Sequence, residues 1–162
     1  MTKKNFSIEK SLQAIETIDF SMIIDKMHHT YGWSKEHLDK ICRLYRNFLI
    51  LSVKNSKLIV PSKEIDEFWH NHILDTKKYI KDCNQIFGKY WHHYPYLGLD
   101  KDTDLSSLQD IFAETQRLYH EEFGEYIYDV IPTGWRSVAL NIVEFIEKSA
   151  SFAKNIFKKS SS

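Results

Sequence analysis

Helix-breaking residues are scarce in this chain, which has only five glycines and three prolines among its 162 residues. Turn-rich β sandwiches and barrels need many more such residues where the chain reverses direction. Apolar residues instead recur three and four positions apart, the spacing that puts them on one face of a helix. The sequence therefore predicts an all-α fold, an orthogonal single domain of five to six helices with little or no β structure.

Capping residues place the ends of the predicted helices. Ser34 and Ser62 stand where a helix N-cap is expected, and Gly88 and Gly124 stand where a left-handed residue ends a helix. Asn55 and Ser56 are expected to turn the chain between two of these helices. The predicted helices cover approximately residues 7–16, 20–29, 35–53, 63–87 and 105–123.

The last part of the sequence, after residue 134, has an amphipathic pattern of its own. We expect residues 1–134 to form the helical core domain, residues 135–158 a C-terminal helix docked on that domain, and residues 159–162 a frayed tail. The alternative is an exposed helix that self-associates or occupies a groove of a protein partner. Its few basic residues and two glutamates argue against contact with an anionic membrane surface.

The charge balance, the cysteines and the absence of long apolar runs limit the kinds of protein that this chain can be. Lysine and arginine together equal aspartate and glutamate in number, so the net charge is zero, and a generic nucleic-acid binder is not expected. Cys42 and Cys83 lie among apolar neighbours on helical patterns. No apolar run typical of a signal peptide follows Met1, and no stretch reaches the 18 apolar residues of a membrane-spanning helix. The sequence predicts a cytoplasmic protein with two free thiols.

Histidines and aromatic residues crowd the longest predicted helix. Asp66 and His70 are four residues apart and share one face, whereas at about 100° per residue His70 and His72 lie about 160° apart. A straight helix therefore cannot point both histidines at one metal ion. The other, more apolar face holds His72, Thr76 and Cys83.

The Asp66–His70 pair has three interpretations: half of a metal site, a base with its orienting carboxylate, or an ordinary helical hydrogen bond. His92 and His93 follow in a loop that Pro95 makes rigid. Either could fold back to complete a site, with Asp66 and His70 or with His72 and Cys83. A divalent metal such as zinc, which takes nitrogen, oxygen and sulfur ligands, would need three or four of them. The candidate metal ligands are Asp66, His70, His92 and His93.

The alternative to a ligand site is aromatic packing, with Trp69 and Tyr79 in one cluster and the histidines as half-polar fillers. In that case His72 is a neutral core histidine bonded to a hydroxyl or a backbone carbonyl, and Cys83 is an inert buried thiol. The sequence contains no glycine-rich phosphate loop, no Gly-x-Ser-x-Gly turn and no Cys-x-x-Cys pair.

The motif resembles the glycine-rich domain-containing protein-like family over approximately Gly32 to Trp135. The resemblance rests on Pro61-Ser62, Ile65-Asp66, Trp69-His70, His72-Ile73-Leu74, Thr76, Tyr79, Cys83, Phe87-Gly88 and His92-His93-x-Pro95. Tyr45-x-x-Phe48-Leu49 before the motif, and Glu114-Thr115, Tyr119 and Phe123-Gly124 after it, also fit. The family has no established biochemical activity, so the resemblance implies no mechanism, and its glycine-rich region is missing from these 162 residues.

Three hypotheses for function follow. The first is a non-enzymatic interaction or regulatory module whose histidine–aromatic motif is mainly structural, because no complete catalytic constellation is present. The second is a metal-dependent enzyme, a hydrolase, that uses Asp66, His70 and a loop histidine as ligands. The third is a small-ligand binding domain that uses the aromatic residues as a pocket.

Overall fold

Six helices account for most of the residues described by the computed structural model, which are residues 7–95, 97 and 105–127. They are α1 (Ile8–Thr17), α2 (Ser21–Tyr31), α3 (Lys35–Lys54), α4 (Lys63–Leu74), α5 (Thr76–Ile86) and α6 (Leu105–Phe123). No strand occurs among the described residues, so the predicted all-α fold is confirmed. None of the described helices has the length and apolar character needed to cross a membrane. The predicted C-terminal helix at 135–158 lies outside the described residues.

Helix α3 is the centre of the core and packs against α1, α2, α4 and α6. Its apolar residues recur at helical spacing, and Leu38, Tyr45 and Phe48 are fully buried. Each large apolar side chain removed from water in this way contributes roughly 1.5–3 kcal/mol to folding. The helix starts at Ser34, whose hydroxyl accepts a hydrogen bond from the backbone N–H of His37, as the capping pattern predicted.

The single helix predicted over Lys63–Phe87 is wrong, because the structure breaks it at Asp75. The backbone of Asp75 leaves the helical region at φ −82° and ψ 71°, and its carboxylate accepts a hydrogen bond from the backbone N–H of Lys78. Asp75 therefore acts as the N-cap of a second helix. The break invalidates the helical wheel beyond this residue, and Thr76 is exposed instead of sharing a buried face with His72.

The break lets α5 turn back against α4 and α1. Helix α5 ends at Ile86. The backbone N–H of its C-cap residue, Phe87, donates to the carbonyl of Cys83, and Gly88 follows in the left-handed conformation at φ 68°. The chain then continues without regular structure through residues 89–95. This returning segment, residues 89–95, runs beside α4. It brings the second part of the motif to the surface of α4.

Candidate metal centre

The start of α4 sets the direction of two polar side chains. The Ser62 hydroxyl accepts a hydrogen bond from the backbone N–H of Ile65 and fixes the first turn. Asp66 follows in that turn, and His70 lies one turn later on the same side. The Nε2 atom of His70 is 3.5 Å from Oδ2 of Asp66. The spacing of these residues in the sequence therefore produces a carboxylate–imidazole pair on one face.

A stack of indole rings positions the returning segment. The ring of Trp91 lies parallel to that of Trp69, with 4.3 Å between their centroids. The hydroxyl of Tyr79 donates a 2.6 Å hydrogen bond to the carbonyl oxygen of Trp91, which anchors the backbone as well. Two residues later, the imidazole of His93 packs edge-on against Trp69 at 4.6 Å. The aromatic core thus holds His93 beside the polar face of α4.

His93 completes a cluster with the pair on α4. Its Nε2 atom lies 2.8 Å from Oδ1 of Asp66 and 3.3 Å from Nε2 of His70. The side chains of His93, Asp66 and His70 are 15%, 26% and 44% exposed, respectively. The cluster is therefore held by the core on one side and open to solvent on the other.

His92 does not join this cluster. Its side chain is exposed, and its ring packs 4.7 Å from that of Tyr90. Adjacent side chains of an extended backbone point in opposite directions, so a segment that turns His93 inward turns His92 outward. Of the four candidate metal ligands, the structure brings together Asp66, His70 and His93.

His72 belongs to a separate buried network. Its Nδ1 atom is 2.9 Å from the hydroxyl of Tyr45, and its Nε2 atom is 3.0 Å from Oδ2 of Asp82. The ammonium of Lys78 donates to the same carboxylate oxygen at 2.7 Å. Burial lowers the pKa of His72, so the imidazole is neutral, donates from Nε2 to Asp82 and accepts the Tyr45 proton at Nδ1.

Asp82 supplies the charge of this network. Burial acts to raise the pKa of its carboxyl, but the hydrogen bonds from His72 and Lys78 outweigh burial, and the net effect is a lowered pKa. A carboxylate with two such donors is satisfied in the core. Asp82 and Tyr45 were not among the residues predicted to form a site. Asp82 meets His72 only because the helix breaks at Asp75, and Tyr45 meets it through the packing of α3 on α4.

The remaining motif residues contribute no donor atom to the cluster. The indole N–H of Trp69 donates to the Tyr79 hydroxyl at 3.0 Å, and both residues are buried. Cys83 is 2% exposed, and burial raises the pKa of its thiol, which keeps it protonated and unreactive. Thr76 lies exposed in the first turn of α5 and is not among the residues that line the cleft described below.

A cleft of about 1000 Å³ opens beside the Asp66–His70–His93 cluster. One wall comes from α3, another from residues 55–64 and the start of α4, and a third from the returning segment. Phe112 and Ile127 reach the same cleft from the end of the described chain. The three polar side chains of the cluster are part of the cleft wall, so a ligand bound at that wall would lie next to them.

Comparison with known proteins identifies the family. A family model described as UCP032817-like matches residues 10–118, which include all three residues of the cluster. The chain belongs to the UCP032817-like family. The matched residues extend from α1 into α6 and so contain nearly all of the described fold.

A relative of this UCP032817-like chain is glycine-rich domain-containing protein 2 of Arabidopsis thaliana, with 27% identity over 146 residues. The alignment covers 81% of this chain but only 17% of the relative, so the chain spans about a sixth of that protein's length. The resemblance to glycine-rich domain-containing proteins is confirmed. No solved structure matches the chain.

Proposed function

We propose that this domain binds one divalent transition-metal ion, zinc or a metal of similar ligand preference, through His70, His93 and Asp66. The observation that carries the proposal is the convergence of three donor atoms from two chain segments to within 4.8 Å of one another. Two imidazole nitrogens and a carboxylate oxygen are ligands that zinc accepts. Among the described residues, no cysteine belongs to the cluster, so its donor atoms are nitrogen and oxygen.

The distances between donor atoms support this assignment. In a tetrahedral zinc site with bonds of about 2.0–2.1 Å, neighbouring donor atoms lie about 3.3 Å apart. The Nε2 atoms of His70 and His93 are 3.3 Å apart, and Nε2 of His70 is 3.5 Å from Oδ2 of Asp66. Both distances match the spacing of donor atoms around a tetrahedral zinc ion. The shorter 2.8 Å contact between His93 and Asp66 involves the other carboxylate oxygen.

Three protein ligands leave a coordination position free, which distinguishes sites that bind an exchangeable ligand from closed structural sites. The cluster lies in the wall of a cleft, so the free position would face a space large enough for a small molecule. The proposed function is therefore metal-dependent binding of a small ligand. A motif that is only structural would account for His72, Tyr79 and Cys83, but not for three convergent donors at the surface.

Protein purified without a histidine tag is expected to hold zinc at one ion per chain, measured by elemental analysis after desalting. Loss of even a hydrogen-bonded neighbour of a metal ligand weakens affinity by up to about 100-fold, so His70→Ala should lower zinc affinity at least that much. Cobalt(II) should give visible absorption bands in the wild type that are missing in His70→Ala.

The matched control for this experiment is His29→Ala. His28 and His29 lie at the end of α2 with 5.3 Å between ring centroids, and His29 is exposed, so a metal could bind there adventitiously. Zinc affinity should be unchanged in this variant. Loss of zinc from His29→Ala but not from His70→Ala would place the metal on α2 and refute the proposal.

A further inference from the structure

The cleft beside the proposed metal centre has mainly apolar walls. Aliphatic and aromatic side chains from α3, the segment before α4, α4 itself and the returning segment line it: Ile41, Leu44, Ile59, Trp69, Phe87 and Trp91. Its volume of about 1000 Å³ is at the upper end of the range for small-molecule sites. Walls of this kind take the apolar body of a ligand and exclude water from it.

The ionisable residues of the cleft are unevenly distributed. Among the described residues, the lining includes four lysines, Lys40, Lys57, Lys63 and Lys89, and two carboxylates, Glu64 and Asp66. Lys40 and Lys63 take part in interactions of their own. Lys57 also pairs with Glu114 at 2.5 Å, which offsets part of its charge. A divalent ion at the cluster would neutralise Asp66 and add positive charge. The cleft with its metal is therefore complementary to an anion.

We propose that the cleft takes an amphipathic organic anion, with a carboxylate or phosphate oxygen at the metal and an apolar body against the indole and aliphatic walls. This inference rests on the proposed metal function, because the free coordination position is what fixes the anionic end. Lys89 lies three residues after the end of α5, in the same segment that supplies His93, and contributes a positive charge to the cleft wall. Oxygen anions are ligands that zinc accepts alongside imidazole.

Calorimetric titration of zinc-loaded and metal-free protein with octanoate, octyl phosphate, acetate and octan-1-ol tests the inference. Octanoate and octyl phosphate should bind the zinc-loaded form at least about tenfold more tightly than the metal-free form, because both ends of the ligand are then engaged. Octan-1-ol should bind weakly and equally to both forms. Acetate should bind more weakly than octanoate because it lacks the apolar body. Whichever of octanoate and octyl phosphate binds more tightly identifies the preferred head group.

Two lysine variants make the test specific. Lys89→Ala should weaken binding of both long-chain anions by about 3–10-fold, as expected for loss of one partly screened charge near an anion. Lys35→Ala, on α3 outside the cleft lining and paired with Asp25, should leave binding unchanged.

The failures of the two proposals are distinguishable. If zinc binds at the cluster but the long-chain anions bind equally well without it, the inference is wrong and the metal site stands. If acetate matches octanoate, the apolar walls have no role and the inference is also wrong. If the protein takes up no zinc in elemental analysis, the metal site is refuted and the inference fails with it.

Discussion

Replacing Trp69 with alanine is expected to lower the free energy of unfolding by about 3–5 kcal/mol, the usual cost of deleting a buried tryptophan. Trp69 is 5% exposed, stacks on Trp91 and packs 5.3 Å from Phe48. Its removal leaves a cavity between α3, α4 and the returning segment. Urea denaturation followed by circular dichroism measures the loss.

The same substitution should also weaken the metal site, because Trp69 is the surface against which His93 packs. If Trp69→Ala does not fold, Trp69→Phe tests the coupling: it keeps an aromatic ring but loses the N–H donated to Tyr79. We expect a roughly tenfold loss of zinc affinity in Trp69→Phe, the size found when the supports of metal ligands are altered. Trp33→Phe, between α2 and α3, should leave zinc affinity intact. If zinc affinity in Trp69→Phe is as unchanged as in Trp33→Phe, the indole stack does not position His93.

Replacing Asp82 with alanine is expected to lower the free energy of unfolding by about 2–4 kcal/mol, because it removes the acceptor shared by the buried His72 imidazole and the half-buried Lys78 ammonium. Lys78 is 23% exposed and can turn its ammonium to water, but the His72 side chain is 1% exposed and cannot. The unsatisfied imidazole N–H is the main cost. Asp39→Ala, exposed on α3, is the matched control and should change stability by less than about 0.5 kcal/mol.

The pH dependence of this effect follows from the lowered pKa of Asp82. A carboxyl whose pKa is lower in the folded than in the unfolded chain stabilises the fold above the unfolded value. That contribution is lost as the pH falls through the folded pKa. The stability difference between wild type and Asp82→Asn should therefore be largest near neutral pH and shrink below about pH 4. A difference that stays constant from pH 7 to pH 3 would mean that Asp82 is not ionised in the core.

Much of the fold could be predicted from local patterns. The caps at Ser34 and Ser62 and the left-handed glycines at the helix ends depend only on neighbouring residues, and the structure has them where expected. The break at Asp75 could not be separated from a continuing helix, because the apolar spacing runs through it. Aspartate at a helix start is a local signal, but it competes with that spacing, and only the packing of α5 on α1 and α4 decides the outcome.

Only the Asp66–His70 pair of the candidate site could be predicted from the sequence. The spacing of Asp66 and His70 on one helix fixes their proximity, since one turn of helix separates them. Whether His92 or His93 faces that pair depends on the stacking of Trp91 on Trp69, a tertiary contact between residues 22 positions apart. The cleft is assembled from four separate segments and has no local signature at all.

Zinc affinity in His93→Ala compared with His92→Ala tests the central claim most directly, because the two substitutions remove the same group from adjacent residues. Competition titration against a chromogenic chelator gives the dissociation constant of each tag-free protein. The structure predicts a loss of at least about 100-fold in His93→Ala, since a direct ligand is removed. It predicts wild-type affinity in His92→Ala, whose imidazole is exposed and turned toward Tyr90. Equal affinities in the two variants, or a larger loss in His92→Ala, would contradict the proposed metal centre.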